Sequence, residues 1–448
     1  MDSPKINIKS LVIVLASFSV LLMVLTMLFL KYYQKGNGAW ERPGSANYKT
    51  LNSPWKFKTG DHPAWAKAAY KDDSWEKVDL TAPAGAHDGD VGLSGYMPGW
   101  TALGHPAYAG YAWYRYGMST DGLRVRTLAI LAPPAVDDAY QLYVNGRLLG
   151  SAGDFSGKKP VAYSIQPRLF EVPDDLTEDS NLIIAFRVWM SRGTLSQGPG
   201  VGGIHIAPRL GPLKAIEADY KFQWSQSIKG YIVEVVEPVV FVLLALAIVF
   251  VLKEKYNYRL RKWFVISLIL LGLFRVNQAV FSWWQIEPAH VYDIVSIVLL
   301  RPAILGSWLI AWWHWFKFKK TGWLPALIFF ITVLYMVFEL LGLGWLAPKA
   351  DNSLFHKLAD GIRYVFLALM VLITVKGMWQ GQPDRGWTLL AMVLLSIGLF
   401  AQEFALLHLL PGIYFPYGVG VSLTQYVYAG FVLVIYFLLW RKYRREIT

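Results

Sequence analysis

Two neighbouring stretches decide the fold class: WFVISLILLGLFRVNQAVFSWW at residues 263–284 and IVSIVLLRPAILGSWLIAWWHWF at residues 294–316. Each exceeds the roughly 20 apolar residues that a helix needs to cross about 30 Å of hydrocarbon. Neither alternates as a barrel strand would, so each can satisfy its backbone amides in a membrane only as a helix. Working outward, comparable runs occupy 230–252, 322–345, 358–379, 387–410 and 420–440. Residues 229–440 therefore read as a seven-helix transmembrane domain.

The composition agrees. Hydrophobic residues make up 55% of the chain and mean hydropathy is +0.35. Many of the 20 Trp stand at the expected membrane boundaries, among them Trp263, Trp283, Trp284, Trp323, Trp345 and Trp440. Amphipathic rings settle at headgroup depth, which explains that placement without a functional role. The absence of Cys excludes disulfides, thiolate nucleophiles and Cys-ligated metals.

The net charge of +12 is not spread evenly. Residues 40–228 hold 19 basic and 19 acidic side chains, so the excess lies elsewhere. It collects at Lys253, Lys255, Arg259, Arg261 and Lys262, at Lys317, Lys319 and Lys320, and in the tail at Arg441, Lys442, Arg444 and Arg445. The alternate loops 285–293 and 411–419 have no Lys or Arg. This is the positive-inside pattern, and it puts the C-terminus in the cytoplasm. A basic tail would also rest on anionic lipid. Nucleic acid is not an expected partner; the lipid bilayer is.

At the other end, Lys5 and Lys9 precede an apolar run from Ser10 to Leu30, with no small-x-small cleavage site after it. That is a signal anchor with its N-terminus inside. Domains follow as 1–31 (anchor), 32–49 (linker), 50–228 (extracytoplasmic domain), 229–440 (helices) and 441–448 (basic cytoplasmic tail). The expected location is the bacterial cytoplasmic membrane, with 32–228 periplasmic or extracellular.

Within 50–228 the pattern is of short strands bounded by turn residues. Candidates are 55–58, 112–118, 126–132, 139–144, 147–151, 168–172, 182–190 and 203–207. Tyr140 to Val144, then Asn145-Gly146, then Arg147 to Leu149 signals a hairpin, because Asn-Gly accepts the positive φ of a type I′ turn. The expectation is an antiparallel β-sandwich, a jelly roll, joined to membrane helices.

Trp55-Lys56-Phe57-Lys58-Thr59-Gly60-Asp61 and Asp72-Asp73-Ser74-Trp75-Glu76-Lys77-Val78-Asp79-Leu80 open this domain. Gly110 to Arg115 and Leu142 to Gly150 follow. In that order these motifs resemble the sugar-binding jelly roll of family-two glycoside hydrolases, over most of residues 50–210. Placed before seven helices and behind an anchor, the layout resembles bacterial seven-transmembrane receptors with diverse intracellular signalling modules. The resemblance implies an ectodomain that binds a carbohydrate or other small ligand, and helices that relay to a cyclase, kinase or phosphatase. The chain ends eight residues after the last helix, so that output is expected from a separate cytoplasmic partner. In the hydrolases this domain is not the catalytic one, so its acids are not read as glycosidase acids.

Ligand-binding candidates in the domain are Trp100 and His105, in the Gly/Pro-rich stretch 82–110, with Asp72, Asp73 and Asp154 as hydroxyl partners. A loop of that length is usually functional or mobile. The alternative makes Asp72-Asp73-Ser74 a turn and Trp113, Tyr114 and Trp189 core. In the helices, ionisable groups are costly and mark sites or pairs. They are Arg275, Asn277, Gln278, Arg301, Glu339, Asp360, Arg363, Gln402, Glu403 and His408, with Glu234 and Glu237 opening the first helix. Helix direction puts nearly all of them in the outer half, Arg301 about 10 Å below the outer surface at about 1.5 Å per residue. Glu403 or Glu339 is the expected counter-ion of Arg275. This describes either an outward-facing polar cavity or structural ion pairs.

No metal-ligand spacing, nucleotide loop or nucleophile elbow appears, so no metal, no cofactor and no enzyme activity is expected. The favoured reading is a membrane sensor. The alternatives are an enzyme or transporter acting on an envelope lipid or glycan through the polar cavity, and an envelope scaffold.

Overall fold

The computed structural model describes residues 8–32, 48–119, 127–177, 181–195, 199–252, 258–318, 322–343, 352–381, 384–410, 413–414 and 418–447. Most of the expected linker, and Lys5, Lys253, Lys255, Lys319 and Lys320, lie outside the described residues. The chain opens with helix α1 (Ile8–Tyr32). A β-domain follows: β1 (Lys49–Thr50), β2 (Trp55–Thr59), β3 (Glu76–Val78), β4 (Gly110–Ser119), β5 (Leu128–Leu131), β6 (Val136–Asp137), β7 (Ala139–Val144), β8 (Arg147–Ala152), β9 (Leu169–Val172), β10 (Asn181–Met190), the single turn α2 (Arg192–Leu195), β11 (Gly203–Ile204) and β12 (Arg209–Pro212).

These strands form a six-stranded antiparallel sheet, in the order β3-β2-β4-β10-β7-β8, and a four-stranded one, β1-β12-β5-β9. Alternation drives the stacking. On β10, Leu182, Ile184, Phe186 and Val188 face inward and meet Leu128, Ile130, Val172 and Leu210 of the smaller sheet. Trp55, Phe57, Tyr114 and Tyr140 fill the space between. Each such ring or aliphatic chain contributes about 1.5–3 kcal/mol when fully buried. The Asn145-Gly146 hairpin is present as read, with φ of 48° and 88°.

The helical half differs from the sequence reading in two places. Residues 213–228, expected inside the β-domain, belong instead to helix α3 (Leu213–Tyr231). It packs Ile216 against Ala129 and Leu131 of the smaller sheet and is tied to β12 by an Arg209–Asp219 ion pair. Then come α4 (Val233–Val251), α5 (Tyr258–Trp283), α6 (Ala289–Asp293), a π-helical turn (Ile294–Leu300) and α7 (Arg301–Trp315). Next are α8 (Trp323–Gly342), α9 (Asn352–Trp379), α10 (Arg385–Leu399), α11 (Ala401–Leu406), the strand pair β13 (Ile413–Tyr414) and β14 (Val421–Ser422), and α12 (Leu423–Ile447). The second difference is the break between α10 and α11 at Phe400, where an unbroken span over 387–410 was expected.

Among the described residues, seven helices are long and apolar enough to cross a membrane: α1 and, with α3 and α4 counted as one span, six after the β-domain rather than the expected seven, α10 being shorter. Their core is aromatic: Trp308 meets Phe431 edge-on at 5.3 Å and Phe264 at 5.5 Å. Helix α1 packs on α4 and α12, with Ser19 Oγ 3.0 Å from the Tyr436 hydroxyl.

The β-domain sits on one end of the bundle through polar contacts. Arg168 donates to Gln285 Oε1 at 2.7 Å, Gln285 Nε2 to the Ser164 carbonyl at 3.1 Å, and the Ala289 amide to the Ala162 carbonyl at 2.8 Å. Basic residues Arg261, Lys262, Lys317, Arg385, Arg441 and Arg444 belong to the opposite helix ends.

Candidate functional site

A cavity of about 470 Å³ lies in the half of the bundle nearest the β-domain. Small-molecule sites commonly span about 300–1,000 Å³. Helices α4, α5, α7, α9, α10, α11 and α12 form its walls, and Gly89 and Asp90 of the β-domain line it from above.

Local sequence explains the shape. Pro302 supplies no amide proton and its ring crowds the preceding turn, which widens into the π-helical stretch just before Arg301. The break at Phe400 exposes backbone carbonyls, which at membrane depth is tolerated only where protein or a polar cavity receives them. Arg363 supplies that partner, with Nη2 3.5 Å from the Leu399 carbonyl.

Two charged networks hold the walls. Arg275 lies 3.0 Å from Glu234 Oε2 and 2.9 Å from Glu237 Oε2, and Nη2 donates to Thr424 Oγ1 at 3.2 Å. Tyr428 covers the guanidinium at 5.6 Å. Arg363 grips Glu403 with two hydrogen bonds, one of 2.8 Å, and donates to the Tyr335 hydroxyl at 3.3 Å. The expected pairing of Arg275 with Glu403 or Glu339 is thus corrected. Depth along a helix fixes height but not face, and Glu403 turns toward α9.

The remaining candidates divide. Asn277 donates to Ser296 Oγ at 2.9 Å, pinning α5 to the π-helical turn. Arg301, Gln278 and Gln402 line the cavity. Glu339 is buried on α8 but outside the lining, whereas Asp360 and His408 are exposed. Sequence reasoning missed Gln425, Thr424, Tyr231 and Asp90. Gln425 was detectable by the rule already applied, as a lone amide in an apolar span.

The lid is built on close backbone approach. The Gly420 amide donates to the Asp90 carbonyl at 2.8 Å, and a Cβ at Gly420 would overlap the Gly89 and Asp90 carbonyls. Gly230 likewise leaves room for Val91. Tyr231 donates to Asp90 Oδ2 at 3.1 Å. Burial raises the Asp90 carboxyl above its ordinary value and Asp88 adds to that, while the Tyr231 hydrogen bond opposes it.

The β-domain candidates do not form a site. Trp100 is 2% exposed, not a surface ring. Its amide pairs with Gly202 and its indole donates to the Tyr108 carbonyl, which turns the ring into the core. His105 bonds Glu76 at 3.0 Å. Asp72 is bound to Arg115, Asp73 is exposed, and Asp154 accepts the Ser156 amide in a local turn.

No family model and no curated protein matches the chain. Weak structural similarity exists to family-two glycoside hydrolases over about a third of it. A Bacteroides uniformis β-glucuronidase is 22% identical over 36% of this chain, with a TM-score of 0.27. A Bifidobacterium dentium β-glucuronidase complexed with coumarin-3-O-glucuronide is 16% identical over 33%, with a TM-score of 0.23. The chain spans 17% of the first and 21% of the second. These proteins are glycosidases, and on that finding the expectation that the chain is not an enzyme is withdrawn.

Proposed function

We propose that this chain is a bacterial membrane receptor whose β-domain and helices jointly enclose a ligand cavity. The observation that carries the reading is the shared wall: Gly89 and Asp90 of the β-domain line the same space as Arg275, Arg301 and Arg363. A ligand there touches both parts and can bias their arrangement, which is what coupling requires. The broken helix α10–α11 and the π-helical turn are local departures from regular helix that such a change can use. The resemblance of residues 50–210 to a sugar-binding domain supports a carbohydrate-like ligand. Basic residues at the helix ends away from the β-domain support an outward-facing cavity and cytoplasmic far ends. The output partner is then a separate cytoplasmic kinase, cyclase or phosphatase.

The relay is testable without a ligand. Gly420→Val pushes the hairpin off the Asp90 loop. Spin labels at Lys262→Cys and Trp379→Cys, clean in a chain with no native Cys, report the spacing of the far helix ends by pulsed electron resonance. The reading expects a shifted distance distribution in the full chain. An unchanged distribution, with the lid displaced, contradicts it.

A further inference from the structure

The cavity's three arginines are not equivalent. Arg275 and Arg363 are held against carboxylates in direct contact. Arg301 lines the same cavity, half-buried, and has no ion pair or hydrogen bond among the described residues. Glu339, buried on α8, makes no ion pair with it. A half-buried guanidinium with no counter-ion among the described residues favours an anion that reaches it.

Three amides stand around the same space. Gln278 and Gln402 form no side-chain hydrogen bond among the described residues. Gln425 donates to Glu234 at 3.3 Å, and its buried Oε1 has no partner. Amides of this kind accept from and donate to hydroxyls. The Ser422 and Thr424 hydroxyls also belong to the wall.

We propose that the cavity binds a small anion flanked by hydroxyl groups, its acidic group on Arg301 and its hydroxyls on Gln278, Gln402 and Gln425. This rests on the receptor reading of the same cavity and narrows its ligand to an acidic member of the hydroxylated class. Two sources carry that chemistry: a soluble sugar acid, and the headgroup of an anionic glycerol lipid. An anion there replaces the missing counter-charge of Arg301 without disturbing the pairs at Arg275 and Arg363.

The experiment uses the full chain in phosphatidylcholine nanodiscs, titrated with D-glucuronate and with glucose by calorimetry. A second arm measures phosphatidylglycerol retained from mixed-lipid discs by native mass spectrometry. The expected result is binding of glucuronate well above glucose, or selective retention of phosphatidylglycerol. Either is weakened roughly tenfold to a hundredfold by Arg301→Gln and partly restored by Arg301→Lys, the range for losing a charge-assisted hydrogen bond. The first pattern assigns a soluble acid and the second a headgroup. Glucose and glucuronate binding alike, unaffected by Arg301→Gln, overturns the anion assignment while leaving the cavity reading intact. So does failure of both glucuronate and phosphatidylglycerol to bind. Persistence of binding in Ala401→Trp, which fills the cavity, overturns both.

Discussion

Two arginines, one in each half of the molecule, are treated in opposite ways. Arg115 in the β-domain core is fully engaged. It bonds Asp72 at 2.8 Å, the Lys67 carbonyl at 3.1 Å, the Tyr70 carbonyl at 3.4 Å and the Trp65 carbonyl. Arg301 in the bundle lines a cavity and bonds nothing among the described residues. The β-domain uses its buried charge to fix one loop, 65–72, against one strand. The bundle uses two arginines that way and leaves the third open. A satisfied network rigidifies, and an unsatisfied one is where a second molecule has something to gain.

The largest effect is expected at Arg115. Arg115→Ala strands Asp72 and three carbonyls, and is expected to cost the β-domain about 3–5 kcal/mol, the range for breaking a buried pair. Denaturant titration of the full chain, followed by tryptophan fluorescence, reads it. A loss below about 1 kcal/mol would mean that the contacts are ornamental.

The next effect is pH-dependent and belongs to the β-domain alone. Burial raises Asp138 to about 7, with the Thr194 and Ser191 hydrogen bonds opposing. Between 3.8 and about 7 the native state therefore holds a proton that the unfolded chain releases, and stability falls as pH rises. Burial also lowers His205, but its hydrogen bond and charge contact with Asp137 outweigh that and hold it above 6.5. Its contribution is complete below 6.5 and is lost as pH rises through the raised value. For Asp137, burial raises the carboxyl, while His205 and the Gly202 amide pull it below 3.8. Its contribution is present above 3.8 and is lost only as pH falls through the depressed value. The β-domain should thus be more stable at pH 5 than at pH 8, and Asp138→Asn should flatten the slope between pH 5 and 7. A profile that rises toward pH 8 would contradict this.

Smaller again is Arg363→Gln, which removes the grip on Glu403 and the Leu399 carbonyl. Interhelical polar contacts in membranes are worth about 1–2 kcal/mol at most. A drop in melting temperature of the detergent-solubilised chain is expected, without loss of the β-domain transition. Smallest is Arg301→Gln, expected to change stability by less than about 0.5 kcal/mol, because it removes no hydrogen bond or ion pair among the described residues. A large loss would turn Arg301 into a structural residue like Arg115.

Sequence carried the class of each half but not the direction of its side chains. Alternation and Asn145-Gly146 located most of the large sheet, and apolar length located the long helices other than the broken α10–α11. Helix α3 was missed because its polar and charged residues give no apolar run, and its burial comes from the sheet beneath it. The break at Phe400 was missed because apolar residues continue through it. Arg301 and Arg363 were visible as costly charges. The partners were not, since Glu234, Glu237 and Glu403 reach their arginines by helix rotation, which length and hydropathy do not encode. Trp100 was misplaced for a related reason: a long loop implies exposure, yet its backbone pairing with Gly200 and Gly202 turns the ring inward.

The cavity lies beneath the β-domain, and Arg301 in its wall has no counter-ion among the described residues. The direct measurement is thiol labelling of Gln402→Cys, the sole Cys in the chain, in sealed vesicles of both orientations, using methanethiosulfonate reagents of opposite charge. Modification is expected from the β-domain side, faster with the anionic reagent than with the cationic one, with that preference reversed in Arg301→Glu. Modification only from the opposite side, or no dependence on reagent charge or on residue 301, would contradict it.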